Sequence, residues 1–214
     1  MVGSALGHGL RRRFRPEELA TPEAFRENPK LVWEWYAWRR ELCARVAPNA
    51  GHLALAALER RFPTFRLITQ NVDGLHQRAG SRAVVELHGN ITTTRCFDDG
   101  GVVESWEELG EVPPRCPRCG GLLRPGVVWF NESLPPRALE AATDAAQSAE
   151  VFFSIGTSAL VQPAASLPLL AHEHGAIVVE INPGPTPLSQ RADYAIAGRA
   201  GDVLPALADL LGAL

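Results

Sequence analysis

The stretch from Thr69 to Asn90 reads TQNVDGLHQRAGSRAVVELHGN and decides the fold. Two short apolar runs, Leu67-Ile68 and Val84-Val85, each give way to polar, turn-forming residues. In an open α/β sheet, ligands bind just beyond the carboxyl ends of the strands. We therefore expect two adjacent strand ends to carry amides, a carboxylate and the imidazole of His88 to one crevice. Histidine is the side chain best suited to proton transfer near neutral pH.

The rest of the chain alternates between patterns typical of strands and of helices. Strands are predicted near residues 65–69, 84–87, 151–155, 177–181 and 194–196, and helices over 31–45, 50–62, 136–149, 163–174 and 203–211. Thr21-Pro22 also predicts a helix start, with the threonine as N-cap. This alternation is typical of an α/β fold with a mostly parallel, Rossmann-like sheet.

The interval from Ile91 to Arg124 breaks the alternation, because it carries cysteines, Gly-Gly and Pro-Pro pairs and no long helical pattern. It predicts a small inserted module. A chain of 214 residues is long enough for one substantial core. We expect a single domain over 1–214, with the small module from 10–48 and 91–126 and the Rossmann-like part from 49–90 and 127–214.

Composition narrows the class of partner. The net charge of −3 argues against bulk attraction to nucleic acid. No apolar run approaches the roughly 20 residues of a membrane span. The run Arg11-Arg12-Arg13 is not followed by the apolar segment of a secretory signal. We expect a cytoplasmic protein with these arginines on a solvated surface.

The order of these motifs resembles that of the sirtuins, the NAD-dependent protein-lysine deacylases. TQNVDGLH and ELHGN resemble the family signature, and Val127-Val128-Trp129-Phe130, Gly156-Thr157-Ser158 and Asn182 follow in the family's order. The resemblance covers nearly the whole chain, from about Pro16 to Leu214. It implies that acyl groups are removed from the lysines of proteins or peptides and transferred to ADP-ribose, with release of nicotinamide from NAD.

The resemblance also assigns roles to single residues. His88 matches the general base that takes a proton from a ribose hydroxyl. The residues expected to contact NAD are Gln70, Asn71, Val72, Asp73, Gly156, Thr157, Ser158, Asn182, Pro183, Gly184 and Ala200. From residue type alone, many of them also suit ordinary turns, in which Asn, Asp and Gly dominate.

Tyr36 and Arg39 lie three residues apart on a predicted helix, so they share one face. A phenol hydroxyl and a guanidinium together suit a carboxylate ligand. An amphipathic helix with its aromatic residues inward and Arg39 at the surface explains the same spacing. The sirtuin branch that removes succinyl, malonyl or glutaryl groups carries Tyr-x-x-Arg at this place. The resemblance thus implies desuccinylase or demalonylase activity beside deacetylase activity.

The run Val127-Val128-Trp129-Phe130 is extended and apolar, and it ends at Asn131-Glu132. By itself it predicts a core strand. The resemblance implies instead that it binds substrate, with the peptide adding as a strand along this edge and the four side chains flanking the acyl-lysine.

The cysteines form an incomplete zinc-binding pattern. Cys116-Pro117-Arg118-Cys119 supplies two ligands, and structural Zn²⁺ takes four. The other half reads Cys96-Phe97-Asp98-Asp99, so the fourth cysteine of the family's usual pattern is absent. Two alternatives stay open: Asp99 supplies an oxygen ligand, or the site holds no metal.

The chain departs from the family at one further place. Sirtuins carry a strand and a Gly-Ala-Gly-x-Ser loop that hold the NAD phosphates, and no part of this sequence matches them. The resemblance then implies unpaired sheet edges and a weaker phosphate site. The alternative function is therefore a catalytically impaired protein that binds NAD or ADP-ribose.

Overall fold

A computed structural model of the chain describes residues 15–107 and 109–213. The run Arg11–Arg13 lies outside the described residues. The helices are α1 Pro16–Leu19, α2 Pro22–Glu27, α3 Pro29–Arg45, α4 Ala50–Arg61, α5 Leu75–Arg78, α6 Pro136–Gln147, the 3₁₀ turn Ala164–Ser166, α7 Leu167–Glu173 and α8 Ala200–Leu210. The strands are β1 Leu67–Thr69, β2 Val84–Glu86, β3 Gly89–Cys96, β4 Leu123–Val127, β5 Val151–Ile155, β6 Ile177–Asn182 and β7 Tyr194–Ala197.

The chain divides into two compact units. Of the described residues, the first contains 15–46, 71–74, 88–107 and 109–134, and the second contains 47–70, 75–87 and 135–213. The division expected from the sequence places 71–74, 88–90 and 127–134 in the Rossmann-like part. The sequence-based division into a small module and a Rossmann-like part stays a prediction.

In the first unit, helix α3 packs on the antiparallel pair β3–β4, while α2 packs on α3 and α1 on α2. Helix α2 begins where the sequence predicts, because the Thr21 hydroxyl accepts a hydrogen bond from the N–H of Ala24 at 3.0 Å. Asn28 then caps α3 through the N–H of Leu31. The fully buried residues at the centre of this unit are Phe25, Val32, Ile91 and Trp129.

In the second unit, all strand pairs are parallel, which confirms the predicted α/β class. β1 pairs with β2, and β5, β6 and β7 form a three-stranded sheet. Among the described residues these are two separate sheets rather than one. Helices α4 and α8 cover one side of β6 through an aliphatic cluster that includes Leu58, Ile181 and Leu204.

The lengths and compositions of the helices show whether any of them could span a membrane. No helix in residues 15–107 or 109–213 combines the length and apolar character needed to cross a bilayer. The longest, α3, has 17 residues and carries charged side chains along much of its length.

Candidate functional site

In the second unit, polar groups gather at the carboxyl ends of three parallel strands. Gln70 follows β1, and its Nε2 donates a hydrogen bond to Oγ1 of Thr157, which follows β5, at 3.4 Å. Asn182 ends β6, and its Nδ2 lies 3.5 Å from the carbonyl oxygen of Thr157 and 3.1 Å from that of Gly184. The structure thus brings together Gln70, Thr157, Asn182 and Gly184 at the carboxyl ends of β1, β5 and β6, the strand ends beyond which α/β folds bind ligands.

The loop after β5 leaves space beside its backbone. Gly156 has φ +62°, and a Cβ placed there would meet no atom within 4 Å. Its N–H donates to the carbonyl of Ile181 at 2.9 Å, which ties the loop to β6. Ser158 and Pro183 are exposed. A left-handed glycine with open space beside it suits the close approach of a ligand to the main chain.

Ala200 is the first residue of helix α8 and is half-buried. Its carbonyl oxygen lies 3.0 Å from the position that a Cβ on Gly51 of α4 would occupy. The glycine at 51 therefore allows the close approach of the two helices and fixes the place of the α8 N-terminus.

In the first unit, His88 sits at the entry to β3 and is half-buried. Its carbonyl oxygen accepts the N–H of Val128 at 2.9 Å. Gly89 follows with φ +72°, and a Cβ there would lie 2.2 Å from the carbonyl oxygen of Gly126. Only glycine fits this crossing, so it fixes the backbone that carries His88.

The segment 71–74 lies against the same part of β3. The N–H of Ile91 donates to the carbonyl of Val72 at 2.8 Å. Gly74 has φ +70°, and a Cβ there would lie 3.4 Å from Nδ2 of Asn90. Asn71 and Asp73 are thereby held on a segment that is anchored within three residues of His88 along the chain.

Tyr36 and Arg39 share one face of α3, as predicted. Tyr36 is 3% exposed, and its hydroxyl accepts a hydrogen bond from Nε1 of Trp129 at 3.0 Å. Burial raises the pKa of Tyr36 to about 12, against a smaller lowering by the charge of Arg39. The Arg39 guanidinium lies over the rings of Trp35 and Tyr36, at 4.7 and 5.8 Å from their centres.

The apolar run after β4 alternates in burial. Val127 and Trp129 are buried, Val128 is half-buried, and Phe130 is 46% exposed. All three N–H groups from Val128 to Phe130 already donate within the unit, to His88 O, Glu132 Oε2 and Ala20 O. A peptide strand could therefore pair with these three residues only through their carbonyl groups. The predicted substrate contact stays a prediction.

Cys96, Cys116, Cys119 and Asp99 place their ligand atoms within 4.8 Å of one another. Three thiols and one carboxylate form a donor set that fits tetrahedral Zn²⁺. The Sγ atoms of Cys96 and Cys119 lie 3.4 Å apart. Burial raises the pKa of the Cys96 thiol to about 11, and a bound cation would oppose this by favouring the thiolate.

Two arginine–carboxylate pairs were not foreseen from the sequence. Arg124 is 8% exposed and donates to both carboxylate oxygens of Glu132. Burial tends to raise the pKa of Glu132, but the hydrogen bonds from Arg124 and from the N–H of Trp129 outweigh it and lower that pKa. Arg118 donates to both oxygens of Asp99. Spacing along the chain predicted neither pair, because neither lies within one helix, where residues three or four apart face each other.

Comparison with known proteins then places this geometry in a family. The profile of the Sir2 family matches residues 5–163. The chain belongs to the Sir2 family. An NAD-dependent protein deacylase of Aquifex aeolicus (strain VF5) is 55% identical over 204 residues, which cover 95% of this chain and 85% of that one.

Solved structures of Sir2 proteins match the fold. A crystal structure of a Sir2 homologue in complex with NAD has a TM-score of 0.88 and 50% identity, and the match covers 95% of this chain and 80% of that one. A Sir2 protein bound to a myristoylated histone peptide has a TM-score of 0.77 and 39% identity, over 92% and 85% of the two chains.

Proposed function

We propose that this chain is an NAD-dependent protein-lysine deacylase that transfers the acyl group to ADP-ribose. The observation that carries the proposal is the rigid backbone around His88, which the Gly89 crossing and the bond to Val128 hold in place. A catalytic base needs such fixed geometry. The family membership and the names of its relatives point the same way.

His88 is the proposed general base. An imidazole can accept a proton from a hydroxyl, and this proton would come from a ribose hydroxyl that attacks the acyl carbon. His88 is half-buried, so part of the residue is accessible to solvent.

NAD fits the donors at the strand ends of the second unit. The amides of Gln70 and Asn182 and the hydroxyl of Thr157 suit ribose and carboxamide groups, and the open left-handed Gly156 suits a phosphate or ribose close to the main chain. We assign the remaining NAD contacts to Asn71, Val72, Asp73, Ser158, Pro183, Gly184 and Ala200. When bound, NAD supplies the acyl acceptor and the nicotinamide leaving group.

The proposed substrates are acyl-lysine proteins or peptides in the cytoplasm, with a preference for acidic acyl groups. Tyr36 offers a phenol that stays protonated at physiological pH, since its pKa is about 12. Arg39 offers a guanidinium one helical turn away. Together they suit the carboxylate of a succinyl, malonyl or glutaryl group. No nucleic-acid or membrane partner is proposed.

The first experiment measures nicotinamide release from NAD with succinyl-lysine and acetyl-lysine peptides. His88→Ala should lower release by about 10²- to 10⁴-fold, the usual contribution of a positioned base. His174→Ala is the matched control, since His174 is exposed at the end of α7. Release that survives His88→Ala contradicts the assigned role. Binding of NAD with no release from the unmodified chain would identify a binding protein instead.

The second experiment tests the acyl preference. Tyr36→Phe combined with Arg39→Met should reduce desuccinylation and leave deacetylation comparatively intact, because both changes remove carboxylate partners and keep most of the apolar contact area. An equal loss of both activities would refute the carboxylate role of the pair.

A further inference from the structure

The Tyr36 hydroxyl accepts a hydrogen bond, and this bond determines the direction in which the hydroxyl can donate its proton. The indole Nε1 of Trp129 donates to Oη of Tyr36 at 3.0 Å, and both side chains are buried. A phenol has one proton to donate beside its acceptor lone pairs. Within residues 15–107 and 109–213, no acceptor takes that proton. The indole N–H thus occupies the acceptor side, and the phenol proton remains available for a ligand.

Trp129 itself is fixed on several sides. The Arg124 guanidinium lies over its ring, 3.3 Å from the centre, and Phe25 packs at 5.3 Å between ring centres. Its backbone N–H donates to Oε2 of Glu132 at 2.8 Å, and Glu132 is in turn held by Arg124. With only 2% of its surface exposed, the indole has no room to turn its N–H away from Tyr36.

Arg39 completes the arrangement. Its guanidinium stacks over the Tyr36 ring at 5.8 Å from the centre. In the part of the chain that the structure describes, it forms no ion pair with a carboxylate. A free cation and a free phenol proton therefore lie one helical turn apart on α3.

We propose that Trp129 is a positioning residue for the recognition of acidic acyl groups, because its indole N–H directs the Tyr36 proton toward the ligand carboxylate. This inference rests on the proposed acidic-acyl specificity. Its sequence context implies only that Trp129 lines the acyl-lysine site with apolar surface, and the inference adds a polar role.

The test compares Trp129→Phe with the unmodified chain in steady-state kinetics. Phenylalanine keeps a ring beneath Arg124 and removes the N–H. The KM for a succinyl-lysine peptide should rise by about five- to tenfold, which corresponds to one weakened hydrogen bond to a charged ligand. The kcat/KM for the acetyl-lysine peptide should fall by a smaller factor than that for the succinyl-lysine peptide, since an acetyl group has no carboxylate.

Coupling to Tyr36 supplies a sharper criterion. In a Tyr36→Phe background, adding Trp129→Phe should change desuccinylation no further, because the hydroxyl that Trp129 orients is already gone. Trp106→Phe is the matched control: its buried Nε1 has no hydrogen-bond partner among the described residues, so its loss should leave the ratio of the two activities unchanged.

A second measurement needs no variant. The indole N–H resonance of Trp129 in the ¹⁵N-labelled chain should shift on adding succinyl-lysine peptide and much less on adding acetyl-lysine peptide. An equal response to both peptides, equal loss of both activities in Trp129→Phe, or additive loss in the double variant overturns the positioning role alone. Deacetylation without desuccinylation by the unmodified chain overturns the specificity and this inference together. No release with either peptide overturns the proposed function itself.

Discussion

Gly89→Ala is the substitution for which the structure predicts the clearest steric clash. Gly89 links the proposed base His88 to strand β3 and has φ +72°. An added Cβ would lie 2.2 Å from the carbonyl oxygen of Gly126 and 3.2 Å from its carbonyl carbon. The obstacle is backbone on the neighbouring strand, so no side-chain rotation relieves it.

The size of the effect follows from two contributions. A left-handed conformation costs a residue with a Cβ about 1–2 kcal/mol. Relief of the clash requires β3 and β4 to separate by roughly 1 Å, which would break bonds such as that from Val128 N–H to His88 O, each worth about 1 kcal/mol net. We therefore expect the free energy of unfolding to fall by about 3–4 kcal/mol, and the melting temperature by roughly 10 °C.

The assay is urea unfolding together with nicotinamide release at a temperature where the variant stays folded. Gly110→Ala is the matched control, because Gly110 has φ +80° with nothing within 4 Å of a Cβ. It should lose only the conformational part, about 1 kcal/mol after the gain from a less flexible unfolded chain. Equal losses in the two variants would refute the reasoning, since the clash would then contribute nothing.

Three further predictions follow from other contacts. Glu132→Gln should destabilise the chain by about 3 kcal/mol at pH 7. The pKa of Glu132 is lowered in the folded state. The stabilisation is therefore present above its unfolded pKa of about 4.3 and is lost as pH falls through the folded pKa. Urea unfolding at pH 7, 5 and 3.5 checks this, with Glu23→Gln in an exposed pair as control, and a pH-independent difference contradicts it. Glu59→Ala should destabilise by about 1–3 kcal/mol, because the Glu59 carboxylate accepts the N–H groups of Arg82 and Ala83 at 2.7–2.9 Å and so holds the start of β2. Thermal melts measure this beside Glu140→Ala, which changes an exposed glutamate of α6, and equal melting points would count against it. Native mass spectrometry should find one Zn²⁺ per chain, lost in Cys116→Ser, and chelation should lower the melting temperature; a metal-free chain purified with zinc present would overturn this.

The parts of the fold that sequence reasoning captured are those with local signals. Helix α2 begins directly after the predicted N-cap Thr21. Helix α3 was predicted from 31 and begins at Pro29, because Asn28 caps it. Strand β5 spans Val151–Ile155 as predicted, because a short apolar run bounded by turn residues has few alternative structures. Helix α8 begins at Ala200 rather than at 203, since no capping side chain marks its start.

The parts that escaped depend on contacts between distant residues. Strand β3 contains Thr92, Thr93 and Thr94 and was expected to lie in an irregular module, but it forms a strand because β4 supplies its partner across the 26 residues that separate them. Helix α5 is a single turn within a polar stretch and has no hydrophobic periodicity. The Trp129–Tyr36 bond joins positions 93 residues apart and leaves no local pattern.

The structure bears on whether Asp99 can supply an oxygen ligand to zinc, which the spacing of the cysteines leaves open. The carboxylate already accepts Arg118 Nε on Oδ2, and Arg118 Nη2 and the N–H of Gly101 on Oδ1. Each carboxylate oxygen has two lone pairs, so Oδ2 keeps one for a metal. Arg118 then offsets part of the charge that three thiolates and a carboxylate would place around Zn²⁺. If this holds, Arg118→Ala should weaken zinc binding although arginine is no ligand, whereas Asp99→Cys should strengthen it. If Arg118→Ala leaves the zinc affinity unchanged, the Arg118–Asp99 ion pair only holds the two loop segments together and does not tune the metal site.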